Sequence, residues 1–207
     1  MAFPKLTDAE MIERLQPPTG KVRIVLDTDT YNEVDDQFAV AHALLSPDQM
    51  SVEALYAAPF YNGRSDGPAD GMERSYDEIL RLLDRLNVAD DGLVFRGSAG
   101  YLEAADKPQE SDAVRDLIDK AMSSDELLYV VAIGAITNVA SAILLAPEII
   151  NKIVVVWLGG HEHHCPSARE FNLKQDMFAS QLMFNCGVPF VQIPCRSVAS
   201  HLLTTLT

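Results

Sequence analysis

The sequence predicts an α/β fold, with an open and mostly parallel sheet that carries helices on both faces. Two observations and one general rule predict it. Short apolar runs rich in β-branched residues alternate along the chain with segments in which apolar residues recur every three or four positions. Several of the short runs are apolar throughout, as strands covered on both faces are. Strands that alternate with helices form crossover units, and these units build parallel sheets.

The individual elements follow from these two patterns, the short apolar runs and the helical spacing. The predicted strands span residues 22–26, 52–57, 127–133, 153–158 and 188–193. The predicted helices span residues 36–45, 74–86, 112–122, 138–145 and 176–186. A short helix precedes them, with Thr7 as its N-cap and its end at Pro17 and Pro18. Residues 62–72 are rich in Gly, Pro and Asp, which predicts one long loop.

Length and composition limit the function classes. The 207 residues carry a net charge of −14, with 48% hydrophobic and 22% charged residues. We therefore expect one domain over residues 1–207, with a substantial core. The negative charge argues against partners with an anionic surface, which excludes nucleic acid and membrane lipid.

The cysteines and the N-terminus indicate where the protein works. The three cysteines have no Cys-x-x-Cys spacing, which is typical of a reducing compartment. The first residues contain no apolar segment typical of a signal peptide. We therefore expect a cytoplasmic protein.

An uncharged segment, residues 127–146, is long enough to span a membrane. Gly134 interrupts it, and Thr137 with Asn138 is typical of a helix cap. We therefore interpret the segment as a buried strand followed by a helix.

Polar residues follow four of the predicted strands. The first strand is followed by residues 27–36, of which five are acidic, and the second by Asn62. Asn138 follows the third strand, and Glu170 and Asn172 follow the fourth. In an open α/β sheet ligands bind outside the carboxyl ends of the strands, so we expect these side chains to converge on one site.

The acidic segment indicates a cation. Clustered carboxylates repel one another, and a hard cation with oxygen ligands offsets their charge. Asp29 and Asp36 can approach such an ion from opposite sides of a turn. Calcium suits the cluster better than zinc, because it contains neither Cys nor His. The alternative interpretation is structural: Asp35 and Asp36 cap a helix, while Asp27 and Asp29 are turn residues.

These segments together resemble one enzyme family. Residues 25–29 (VLDTD) and 35–39 (DDQFA) resemble the N-terminal aspartate motif of the inosine–uridine-preferring nucleoside hydrolases. Residues 134–138 (GAITN), 158–160 (LGG) and 170–172 (EFN) are similar to three further segments of that family, in the same order. The resemblance implies a Rossmann-like sheet and calcium-dependent hydrolysis of the N-glycosidic bond of ribonucleosides to ribose and free base. It also implies a nucleoside or other ribosyl substrate and a homo-oligomer.

The resemblance also implies roles for individual residues. Asp29, Asp36 and the main-chain carbonyl of Ile133 would bind calcium, and Asp29 would be the base for the attacking water. The remaining residues would hold the hydroxyls of the ribose: Asp35, Asn62, Glu170 and Asn172.

Two departures from the family pattern stand out. Residues 30–34 (TYNEV) replace a shorter Pro-Gly segment, which marks a divergent branch. The chain also ends before the family's last third, which would carry a late His-Asp pair with a further calcium ligand. We therefore expect a chain lacking that third, with weak or no catalysis.

Three alternatives remain open. Residues 161–165 (HEHHC) could supply zinc ligands, although a polar loop beside the site is the simpler interpretation. Asp27 and Asp29 fit the Asp-x-Asp pair of a haloacid-dehalogenase-type phosphatase, but Tyr31 does not fit that pattern. A module that binds calcium or a ribosyl group without turnover is the third.

Overall fold

The strands form a single parallel sheet. In a computed structural model of the chain, residues 3–196 and 198–201 are described. The strands of this part are β1 (Val22–Thr28), β2 (Met50–Ala57), β3 (Val94–Arg96), β4 (Leu128–Ala132), β5 (Ile153–Leu158) and β6 (Phe190–Ile193). Their order is β3-β2-β1-β4-β5-β6, and every neighbouring pair is parallel. The predicted α/β fold is confirmed.

Helices cover both faces of this sheet. They are α1 (Asp8–Arg14), α2 (Val34–Leu44), α3 (Pro68–Leu86), α4 (Asp112–Met122), α5 (Thr137–Leu145), α6 (Phe171–Gln175) and α7 (Met177–Asn185). Short 3₁₀ helices span Pro147–Asn151 and Ala199–His201. One apolar core joins α4, α5 and α7 to the sheet, and a second joins α2 and α3 to it. The two cores lie on opposite faces because side chains alternate along a strand.

The predicted long loop at 62–72 is partly wrong. Helix α3 begins at Pro68, six positions before the predicted start at Arg74. Proline favours the first position of a helix because its fixed φ suits the helix and its missing N–H is not needed there. Glycine is required at position 71, inside this helix, because a Cβ there would lie only 2.0 Å from the carbonyl oxygen of Phe60.

The end of α1 and the N-cap of α5 differ from the sequence predictions. Thr7 is the N-cap of α1 and forms the reciprocal capping box with Glu10, but the helix ends at Arg14, before the two prolines. Helix α5 has Ile136 at its N-cap and no side-chain cap. The predicted cap at Thr137 and Asn138 is therefore wrong, because both side chains make tertiary hydrogen bonds instead. Strand β3 and helix α6 were not predicted, because segments of three and five residues show no periodicity.

The uncharged segment at residues 127–146 divides as expected into strand β4 and helix α5. Among the described residues no helix has both the length and the apolar character needed to cross a bilayer.

Truncation of the core should be costly. Leu117, on α4, is fully buried against the sheet, so Leu117→Ala should lower the free energy of unfolding by about 2–5 kcal/mol. The control Leu45→Ala removes a side chain that is 68% exposed and should cost less than about 1 kcal/mol. Urea unfolding of both variants measures the difference, and equal losses would contradict the assignment of Leu117 to the core.

Candidate active site

The centre of the sheet places the acidic segment at a crevice. Strand β1 lies between β2 and β4. Strands β2 and β3 are added on one side of β1, and β4, β5 and β6 on the other, so the strand order reverses at β1. At such a switch point the loops after neighbouring strands separate and leave room for a ligand. Residues 29–33, which follow β1, therefore meet the loops that follow β4 and β5.

Two carboxylates of this segment are buried side by side. Asp29 is 1% exposed and Asp36 is 5% exposed. Asn32 donates from its Nδ2 to Oδ2 of Asp29 over 2.9 Å. The hydroxyl of Thr28 donates to Oδ1 of Asp36 over 2.5 Å. Each carboxylate thus accepts a hydrogen bond from one polar side chain: Asp29 from a residue of the loop after β1, and Asp36 from the last residue of β1.

Burial makes both groups reluctant to ionise. Desolvation raises the pKa of Asp29 well above its usual range, and the charge of Asp36 raises it further. Desolvation likewise raises the pKa of Asp36 to about 7, against the hydrogen bond from Thr28, which lowers it. Carboxyl groups that titrate near neutrality can exchange protons with a substrate, and they also attract a cation.

Six of the predicted site residues line one cavity of about 290 Å³. They are Asp29, Asp35, Asp36, Ile133, Glu170 and Asn172. Asn62 is not among them; it lies in a wider adjoining cavity of about 820 Å³, which shares Asn32, Glu33 and Asp35 with the first. The loops after β1, β4 and β5 therefore line the first cavity and the loop after β2 lines the second, whereas Asn138, which was expected at the site, lines neither and pairs with Asp27 instead.

Glu170 has a structural task at this site. Its carboxylate caps α6 and accepts hydrogen bonds from the main-chain N–H groups of Gly160, Asn172 and Leu173, at 2.8–3.0 Å. A helix N-terminus stabilises a carboxylate in this position. The cap fixes the loop after β5 against α6, so Glu170 lines the cavity while much of its hydrogen-bonding capacity is already used.

Asn172 joins the ends of two strands. Its Nδ2 donates to the carbonyl oxygen of Ile133 over 2.8 Å and to that of Leu158 over 3.0 Å. The carbonyl of Ile133 therefore accepts one hydrogen bond and keeps a second lone pair. The side-chain oxygen of Asn172 remains for a ligand in the cavity.

The donors present fit part of the coordination sphere of a hard cation. Asp29, Asp36 and the carbonyl of Ile133 offer oxygen atoms to one cavity. Calcium takes six to eight oxygen ligands, and water and substrate hydroxyls can supply others. The part of the chain described contains no group of three or more His, Cys, Asp or Glu side chains that could hold a metal alone.

The histidine-rich loop, residues 161–165, does not line the cavity that holds Asp29 and Asp36. His161, His163 and Cys165 line a separate cavity of about 350 Å³. Since no metal-binding cluster occurs among residues 3–196 and 198–201, the zinc interpretation gains no support.

Asp27 differs from the other two aspartates. It is fully buried, and its Oδ1 accepts a hydrogen bond from Nδ2 of Asn138 over 2.7 Å. Burial raises the pKa of Asp27 to about 7. A phosphatase of the Asp-x-Asp type would need this side chain as an accessible nucleophile, so the geometry argues against that alternative.

Sequence reasoning missed Asn32 and Glu33, which line both cavities. Asn32 is only 4% exposed, although it lies in a loop. The available signal was a single amide, between the two buried carboxylates, in a segment of ten residues of which five are acidic.

Comparison with known proteins points to one family. The profile described as inosine-uridine preferring nucleoside hydrolase matches residues 24–206. A protein of Arabidopsis thaliana named "Probable uridine nucleosidase 2" is 28% identical over 193 residues, covering 83% of this chain and 58% of its own. The pyrimidine-specific ribonucleoside hydrolase RihB of Escherichia coli O1:K1 is 36% identical over 89 residues, covering 41% of this chain and 28% of its own.

A solved structure supports the same relation. The purine-preferring ribonucleoside hydrolase from Gardnerella vaginalis superposes with a TM-score of 0.66 at 26% identity, covering 83% of this chain and 60% of that one. The chain thus spans about three fifths of the length of the plant relative and of this structure.

The raised pKa values predict a pH-dependent stability difference. The folded state keeps the proton of Asp36 up to about pH 7, whereas the unfolded chain loses it near pH 4. In chelator this group therefore lowers the free energy of unfolding as the pH rises between those values. Asp36→Asn removes that loss, so the variant should gain stability relative to the natural chain as the pH rises from about 4 to about 7.

Urea unfolding at several pH values measures this gain. Asp48→Asn, an exposed site, is the matched control and should show no such trend. A difference between Asp36→Asn and the natural chain that stays constant with pH would contradict the assignment.

Proposed function

Because the chain belongs to the inosine-uridine preferring nucleoside hydrolase family, we propose that it hydrolyses the N-glycosidic bond of a ribonucleoside. The single observation that carries the proposal is the pair of buried carboxylates, Asp29 and Asp36, which face a cavity at the carboxyl end of the sheet. The substrate proposed is a nucleoside, and the products are ribose and the free base.

Asp29 is the base in this proposal. Its Oδ2 is held by Asn32, which leaves Oδ1 for the proton of a water molecule. The oxygen of that water attacks C1′ of the ribose, and the electron pair of the C–N bond leaves with the nucleobase. The nucleobase then takes a proton from solvent. A carboxylate with a raised pKa accepts a proton more readily, and burial raises the pKa of Asp29 above its usual range.

Charge stabilises the transition state. The bond to the base breaks before the new bond is complete, so positive charge develops on the sugar ring. Five acidic side chains line the cavity, namely Asp29, Glu33, Asp35, Asp36 and Glu170. Fixed negative charge beside a developing cation lowers the barrier, because no solvent has to reorganise.

The sugar is held by the remaining polar groups. We assign the ribose hydroxyls to Asp35, Glu170 and Asn172, which line the cavity, and to Asn62 in the adjoining one. Hydroxyl groups can donate to carboxylates and to amide oxygens, so this set is suited to a diol.

We assign a calcium ion to Asp29, Asp36 and the carbonyl of Ile133. The support is the chemistry of the donor set, which is made of oxygen only, and the unfavourable burial of two neighbouring carboxylates. When bound, such an ion offsets their charge and favours ionisation of a nearby water.

We place this activity in the cytoplasm. The support is that all three cysteines, Cys165, Cys186 and Cys195, are free.

Loss of the Asp29 carboxylate should greatly slow turnover. The relatives named above differ in the nucleosides their names give, so the panel is uridine, cytidine, inosine and adenosine, assayed for reducing sugar with calcium. Asp29→Asn should lower kcat by about 10²–10⁴-fold. Asp48→Asn should match the natural chain. Calcium-dependent sugar release that survives Asp29→Asn would overturn the assignment of the base.

Binding of the ion can be measured without turnover. Calcium should raise the melting temperature of the natural chain, because a ligand that binds only the folded state stabilises it. Asp36→Asn should lose most of this shift, while Asp48→Asn keeps it. An equal calcium shift in the natural chain and in Asp36→Asn would remove the metal assignment.

Non-catalytic binding is the second candidate, because buried carboxylates that face a cavity suit an ion or a ribosyl group whether or not turnover follows. A calcium-dependent melting shift without sugar release from any of the four nucleosides would favour it.

A further inference from the structure

The connection after β1 contains a buried amide that the proposed chemistry does not yet use. Asn32 is 4% exposed, whereas its neighbours Tyr31 and Glu33 are exposed. A buried polar side chain in a loop is retained only where its hydrogen bonds are made, since an unpaired one is costly.

Asn32 bridges two residues of the proposed site. Its Nδ2 donates to Oδ2 of Asp29 over 2.9 Å, and its Oδ1 accepts from Nδ2 of Asn62 over 2.6 Å. One amide therefore links the proposed base after β1 to the proposed sugar ligand after β2. Because it donates at one end and accepts at the other, its orientation is fixed by both partners.

The backbone of Asn32 is held as well. Its N–H donates to the carbonyl oxygen of Asp29 over 2.7 Å, and its own carbonyl accepts from Nη1 of Arg64 over 2.7 Å. The side chain is thus carried on a main chain that is fixed from both sides, as a group that orients another must be.

We propose that Asn32 is the positioning residue of this site: it holds the Asp29 carboxylate by one oxygen and ties it to Asn62. The proposal rests on the hydrolase function proposed above. With Oδ2 held, Oδ1 lies toward Gly134, where an added Cβ would be 3.1 Å away. Asn32 therefore decides which carboxylate oxygen receives the proton and where it lies relative to the sugar.

The same connection supports the second carboxylate in a similar way. The hydroxyls of Thr28 and Thr30 are 2.9 Å apart, and Thr30 is fully buried. Since Thr28 gives its only proton to Asp36, Thr30 must donate to Thr28. The two buried polar residues of segment 30–34 thus each support one of the two carboxylates.

Steady-state kinetics test the proposal on the 207-residue chain with uridine and inosine. Asn32→Ala should lower kcat by about 10–100-fold, because the orientation of Asp29 is lost, and should raise KM much less, because three of the four residues assigned to the sugar keep their hydrogen bonds to it. Asn32→Asp keeps the shape and the acceptor for Asn62 but, when ionised, cannot donate to Asp29, so it should lose kcat to a similar extent. Asn185→Ala, which removes an exposed amide that lines neither cavity, is the matched control.

A double variant separates positioning from a general loss of structure. In the background of Asp29→Asn, Asn32→Ala should cost nothing further in kcat, because the group it orients is already absent. A full additional loss there, or an unchanged kcat in both Asn32 variants, would overturn the proposal.

Crystal structures decide the matter even without turnover. In Asn32→Ala and in Asn32→Asp the carboxylate of Asp29 should adopt a different orientation from that in the natural chain. If it keeps its orientation in both, the proposal fails whatever the activity. If it moves while no chain releases sugar from any nucleoside, the positioning role stands and the hydrolase function fails.

Discussion

Much of the site depends on the burial of three aspartates at the carboxyl end of one strand. Asp27, Asp29 and Asp36 are each at most 5% exposed, and desolvation is the largest cause of the raised pKa of each. Removing a carboxylate from water is tolerated only when specific groups replace the lost hydration. Each aspartate accepts a hydrogen bond from a partner of its own, respectively Asn138, Asn32 and Thr28, while Oδ2 of Asp27 is buried without one.

These partners explain the positions of the surrounding elements. Asn138 donates to Asp27, and its Oδ1 accepts from the main-chain N–H and from the hydroxyl of Ser98 at 2.7 Å. It therefore joins α5, β1 and the loop after β3. The approach is so close that a Cβ at Gly97 would lie 2.0 Å from the carbonyl oxygen of Ala57, which explains the glycine there.

A second hydrogen-bond network centres on Asp176, which follows the segment that carries Asn172. Asp176 caps α7 through the N–H of Ala179, and its other oxygen accepts from the hydroxyl of Thr137 and from the N–H of Leu102. Together with the cap that Glu170 provides for α6, it holds the segment that carries Asn172. The polar residues of the family-like segments are thus of two kinds. Some line the cavity, and others, such as Asp27 and Asp176, hydrogen-bond to neighbouring elements and hold these in place.

The sequence by itself determined the sheet and the convergence of the motifs, because both depend on local properties. Strands β1, β2, β4, β5 and β6 are apolar runs, and the crossover rule places their carboxyl ends along one edge. Asp29, Asp35, Asp36, Glu170 and Asn172 follow such strands, so their meeting in one cavity was predictable.

Only the tertiary structure decided how these side chains are used. Thr137 and Asn138 resembled a helix cap, but their partners, Asp176 and Asp27, are 39 and 111 positions away in the chain. In the sequence Asn32 is an ordinary loop residue, and only the folded structure brings Asn62 within hydrogen-bonding distance of it. Hydrogen-bond partners that are distant in sequence leave no periodic signal, and burial, which sets the charge of the aspartates, exists only once the chain has folded.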